Sequence, residues 1–263
     1  MTNVGDQQYA QEILKAESGD LRQLRPHERI LVGIVAISWA LFQLGLAGFL
    51  VLDSTKVRAI HLAFGLLLLY LLVPFRKHPK NGKSFLAVTD RIPVVDYLLA
   101  AASALCALYI VFDYSGIAMR AGMPLARDLV FGTLLVLLLL EAARRVIGPA
   151  LPIIALLFTG YAFAGPYMPD LFAFKGVSLS KYLSNITLST EGIYGIPLGV
   201  SASIVYLFVL LGALLDKAGA GKFFTSLALA VLGRYKGGAA KAAVVSSGAT
   251  GLVSGSSIAN IVT

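Results

Sequence analysis

"ILVGIVAISWALFQLGLAGFLVLDSTKVRAIHLAFGLLLLYLLVPF", Ile30–Phe75, holds two apolar runs parted by one short polar turn. Each run is close to the roughly 20 residues that carry a helix across a bilayer, Ile30–Leu52 with some tilt. The turn Asp53–Lys56 is too short for anything but an antiparallel return. Two apolar helices joined in this way have no soluble face to present, so the stretch predicts a transmembrane hairpin.

The same pattern continues outward. Ile92–Phe112 is a third span, with Pro93 suited to its first turn. A fourth, about Asp128–Ile147, has a shorter apolar run, Leu129–Leu140, and must continue through "EAARRVIG" to reach the far side. Pro149–Met168 and about Tyr194–Leu215 are the fifth and sixth. Pro169–Ile193, between them, is the longest polar connection. The fold class is therefore all-α, a polytopic integral membrane protein of about six spans. Composition agrees: 57% of residues are hydrophobic and 14% charged, against roughly 25% charged in soluble domains.

The formal charge of +8 sits in the breaks between apolar runs, where membrane topology explains it and a nucleic-acid surface does not. With the N-terminus cytoplasmic, the inside segments hold sixteen of the 22 lysines and arginines. The outside segments hold only Lys56, Arg58, Arg120, Arg127, Lys175 and Lys181. The sequence predicts no removable signal peptide, so the first span is an uncleaved anchor. Cys106 stands alone, which excludes a disulfide within the chain. His27, His61 and His78 are scattered at the ends of apolar runs and suggest no metal cluster.

Beyond the sixth span, "GKFFTSLALAVLGR", Gly221–Arg234, is too short to cross and reads as a helix along the cytoplasmic interface. Ala239–Val253 is apolar but built of small residues and enters from the cytoplasmic side. About 15 residues of helix bring Ser254–Asn260 near mid-membrane depth. Irregular polar backbone at that depth is tolerated only where it is buried in protein or lines a cavity. Two readings remain open from the residues alone. Serine hydroxyls, an asparagine carbonyl and freed backbone carbonyls suit a hard cation. Equally, Gly251 and Gly255 form a GxxxG pair of the kind that lines close helix contacts in lipid.

"GRYKGG" at 233–238 and "SGSSIAN" at 254–260 resemble the first re-entrant hairpin region of the large membrane subunit of tripartite ATP-independent periplasmic (TRAP) transporters. "LLEAARRVIG" at 139–148 and "TEGIYGIPLGVSA" at 190–202 are similar to the branch in which small and large subunits are fused, which works with TAXI-type binding proteins. The resemblance implies an elevator-like, sodium-coupled permease of the bacterial inner membrane. It implies an organic-acid solute delivered by a periplasmic binding protein, Na+ as coupling ion and no organic cofactor. Residues 1–29 would be a cytoplasmic segment, 30–147 a small-subunit-like scaffold embedded in lipid, and 148–263 the start of the transport region. Ser254, Gly255, Ser256, Ser257 and Asn260 match the hairpin motif and would line the sodium and substrate site. The large subunit of such a permease is longer than this sequence, so the chain is expected to be a piece or a truncated product.

Other groups have plainer readings. Glu141, Arg144 and Arg145 make a self-neutralised helix end. Asp96, one turn into the third span, suggests capping or pairing near Arg91. Tyr161, Phe163, Tyr167, Phe172, Phe174 and Tyr182 read as an interfacial belt. "SGSS" lacks a neighbouring base: no histidine follows His78, and no lysine or carboxylate lies in the last 22 residues. A serine nucleophile needs such a base, so no enzyme is expected. The rival to the transporter is a membrane scaffold without its own ion site.

Overall fold

A computed structural model describes residues 21–22, 24–75, 91–169, 171 and 173–254, with only the backbone of 252–254. The regular structure among them is helical. It runs α1 (Pro26–Gly48), α2 (Ser54–Leu72), α3 (Val94–Phe112), the short α4 (Tyr114–Met119), α5 (Ala126–Val146), α6 (Ala150–Ala164), α7 (Leu179–Thr187) and α8 (Ile196–Val200). A π-turn (Ser201–Val205) then leads to α9 (Tyr206–Lys217), α10 (Ala220–Leu232) and α11 (Gly238–Ser254). Two compact units result among the described residues, Leu21–Ala202 and 203–254.

Five described stretches are long and apolar enough to cross a membrane: Pro26–Gly48, Ser54–Leu72, Val94–Phe112, Ala150–Tyr167 and Ile196–Lys217. α5 has 21 residues, which at 1.5 Å each is about 30 Å, also bilayer length. Its charges sit at its two ends, where Arg127 and Asp128 open the helix and Arg144 and Arg145 close it.

The first unit is built around α2 and α3, its most extensive helix pair. Ala59, Ala63, Leu66 and Tyr70 follow one face of α2. Ala100, Ser103, Ala104, Ala107 and Ile110 follow one face of α3, and all are buried. Mostly small side chains at helical spacing let two backbones approach closely, the contact that stabilises helices where lipid removes the hydrophobic incentive. α5 adds Leu135, Leu138 and Ala142 to the same core. Outward, Ile30, Ile34, Ile37, Leu41 and Leu44 form an exposed apolar stripe on α1. A bilayer is the solvent that such a stripe requires.

Several helix ends have a local cause. Pro26 occupies the first turn of α1, and the Glu28 carboxylate accepts the Arg25 backbone N–H at 2.9 Å. Asp53 caps α2 by accepting the Thr55 N–H at 2.8 Å. α5 ends because Gly148, at φ +100°, takes the left-handed conformation that closes a helix without steric cost.

The longest polar connection contains α7, whose Ser178 N-cap accepts the Lys181 N–H at 3.3 Å. The aromatic residues expected as a belt also pack against one another here. Tyr161 meets Phe174, and Phe163 meets Tyr182, each at 5.1 Å between ring centres. In the second unit, α10 packs along α11, so the apolar helix with basic ends is one leg of a helix pair.

Candidate functional site

Ser254 closes α11, while Gly255, Ser256, Ser257 and Asn260 lie outside the described residues. The helix leading to them has a polar seam of its own. Thr225 and Ser246 hydroxyls are 2.8 Å apart across the α10–α11 contact, and Thr225 also donates to the Gly221 carbonyl at 2.9 Å. One turn further along, Thr250 is 5% exposed, and its hydroxyl is buried with no hydrogen-bond partner among the described residues. It faces a cavity of about 10 Å³ lined also by Gly212, Asp216 and Gly221, room for about one water.

A larger polar constellation lies in the first unit, centred on a histidine whose position at the end of an apolar run had suggested nothing. His61 is 6% exposed on α2. Trp39 and Gln43, one turn apart on α1, both reach its Nδ1. The indole N–H donates at 3.3 Å, and the Gln43 amide nitrogen is 2.5 Å away. An indole nitrogen only donates, so Nδ1 is the unprotonated nitrogen and Nε2 carries the hydrogen. That hydrogen is directed at Ser201 Oγ, 3.2 Å from Nε2, at the first residue of the π-turn.

The segment "TEGIYGIPLGVSA" is held against α2 and α3 at the same place. Arg58, one turn before His61, donates from Nη1 to the Tyr194 carbonyl at 2.8 Å. Tyr194 is 1% exposed, and its hydroxyl donates to the Ala107 carbonyl at 2.9 Å. Gly199 permits the guanidinium to lie close: a Cβ there would stand 2.8 Å from Arg58 Nε. Gly192 similarly admits the Ile186 backbone, which a Cβ would meet at 2.3 Å. A cleft of about 520 Å³ opens beside this clamp, lined by Ser54, Arg58, Glu191, Gly192, Gly195 and Pro197 among others.

Two ion-pair networks mark opposite ends of the helices. At one, Asp96 accepts from Arg22 at 2.6 Å and from Arg145 at 2.9 Å, with all three side chains nearly inaccessible. The expected neighbour Arg91 is not its partner. Arg145 continues to Glu141 at 2.8 Å, and Glu141 also accepts from Arg144 at 2.7 Å. The self-neutralised helix end is thus one part of a larger network. At the other end Arg120 donates to Asp128 at 2.8 Å and to Asp113 at 2.6 Å, and Tyr109 donates to Asp128. Hydrogen bonds from Arg120 to Asp128 and Asp113 raise the Arg120 pKa further above its ordinary value.

Sequence spacing pointed to the helix end at Glu141, and the family resemblance took in the segment 190–202. It gave no sign that His61 and Ser201, 140 residues apart, meet. Among comparisons with known proteins, residues 134–263 match the family described as tripartite ATP-independent periplasmic transporter, DctM component. No curated protein and no solved structure matches the chain.

Proposed function

From the premise that residues 134–263 belong to the DctM component family of TRAP transporters, we propose that this chain imports an organic-acid solute by sodium symport. A periplasmic binding protein, of the TAXI type, delivers the solute to the outer face. The region from about Pro149 onward carries it across in an elevator-like movement, with α11 as the first arm of a re-entrant hairpin. Residues 30–147 act as the fixed, small-subunit-like scaffold of a fused permease in a bacterial inner membrane, with the N-terminus cytoplasmic. Ser254, Gly255, Ser256, Ser257 and Asn260 line the sodium and substrate site.

The family match over 134–263 carries this reading. The residues support it further. α11 is built of small side chains and leads straight into the Ser/Gly/Asn run, whose oxygens suit a dehydrated cation. The ion-paired ends of the first unit suit a static scaffold, because buried pairs resist rearrangement once formed. Uptake assayed with the protein expressed from its complete coding sequence, together with its binding protein, tests the coupling ion. Uptake should collapse when sodium is replaced by choline. Equal uptake driven by a proton gradient without sodium rejects the symport.

A further inference from the structure

In the first unit Arg22 and Arg145 share Asp96, Arg120 meets Asp113 and Asp128, and Arg144 meets Glu141. Arg58 differs from them. It is half-buried near the start of α2, and among the described residues it has no carboxylate partner; its Nη1 donates to the Tyr194 carbonyl at 2.8 Å. A guanidinium carries five donors in a planar fork that fits a carboxylate. A charge taken partly out of water costs free energy until it is paired. The Tyr194 carbonyl sets the direction of the fork without neutralising it.

The cleft of about 520 Å³ beside Arg58 has one other charged side chain among its lining residues, Glu191. Glu191 is exposed and, among the described residues, is paired neither with Arg58 nor with another cation. Ser54 and Thr190 add hydroxyls, and Ile196 and Pro197 an apolar wall. All of these residues belong to the first unit. A cleft with one unpaired cation and one unpaired anion complements a ligand that carries both charges itself. A simple anion fits less well, because Glu191 repels it, and a simple cation is repelled by Arg58.

We propose that this cleft binds a zwitterionic amino acid with an apolar side chain. Its carboxylate meets the Arg58 guanidinium, its ammonium group meets Glu191, and its side chain lies on Ile196 and Pro197. The cleft shares no residue with the sodium and substrate site proposed at 254–260. It lies at the end of α2 that the charge bias puts outside. Its use as a receiving site for incoming solute rests on the transport reading; the binding itself does not.

Calorimetric titration of the complete protein, purified in detergent, tests this with three probes of like shape: L-leucine, 4-methylpentanoate and 3-methylbutylamine. Leucine should bind about tenfold tighter than either singly charged probe, the worth of one hydrogen bond between charged groups. Glu191→Gln, a change at an exposed side chain, should erase the difference between leucine and 4-methylpentanoate. Equal binding of those two by the unaltered protein overturns the proposal in favour of a plain anion site. Leucine binding that Glu191→Gln leaves unchanged overturns it as well, as does no leucine binding at all. Sodium-dependent uptake is measured separately, and its absence rejects the transport reading while leaving the binding site standing.

Discussion

Arg145 and Asp96 lie 2.9 Å apart, Nη1 to Oδ1, on α5 and α3, with side chains 1% and 4% exposed. Arg22 reaches the other Asp96 oxygen at 2.6 Å, so one carboxylate ties three chain segments together. Arg145 also lies over Tyr70, 4.8 Å from its ring centre, and donates to the Val73 carbonyl at 3.3 Å. Asp96 is the member on which the arrangement depends, because its loss leaves the buried Arg22 guanidinium without its anion and Arg145 with Glu141 alone.

Asp96→Leu should therefore destabilise the first unit by about 3–5 kcal/mol, the usual consequence of breaking a buried pair from one side. Thermal unfolding in detergent measures it, and a change below about 1 kcal/mol would show that water enters the cluster freely. Arg145→Met should cost less than Asp96→Leu, since Asp96 keeps Arg22.

Gly132 on α5 faces Thr187 at the end of α7, where an added Cβ would lie 2.5 Å from the threonine Oγ1. Gly132→Ala should destabilise by about 1–3 kcal/mol through overpacking. The cost should largely vanish in the Gly132→Ala, Thr187→Ala double variant, because the clash is with that side chain. Additive losses in the double variant would contradict this account.

Gln43 is 1% exposed, and its amide nitrogen meets the buried His61 ring. Gln43→Leu should cost about 1 kcal/mol and no more, because the Trp39 indole still donates to His61 Nδ1. Trp39→Phe with Gln43→Leu should cost more than the sum of the single changes, as Nδ1 then loses both of these contacts at once. Simple additivity of the two would mean that water already solvates the ring.

Asn260→Ala, at the sodium site proposed above, should raise the sodium concentration for half-maximal uptake about tenfold, equivalent to some 1.4 kcal/mol of lost coordination. An unchanged sodium dependence in both Asn260→Ala and Ser256→Ala favours a scaffold without its own ion site.

Membrane location and helical class were legible in the sequence because they depend on run length and composition, which need no partner: Ile30–Phe75 alone dictates a hairpin in lipid. The helix end at Glu141, Arg144 and Arg145 was legible too, since spacing of three and four residues along one helix is a local rule. Asp96 reads from the sequence as a capping or pairing group near Arg91, yet its partners, Arg22 and Arg145, are 74 and 49 residues away. α7 was missed because it has only nine residues and is polar overall, and a helix that short depends on tertiary packing to form. The meeting of His61 with Ser201, and the fit of Gly199 against Arg58, depended on the tertiary structure. Helix rotation and depth in a bilayer are set by contacts between helices, and hydropathy along a single run does not encode them.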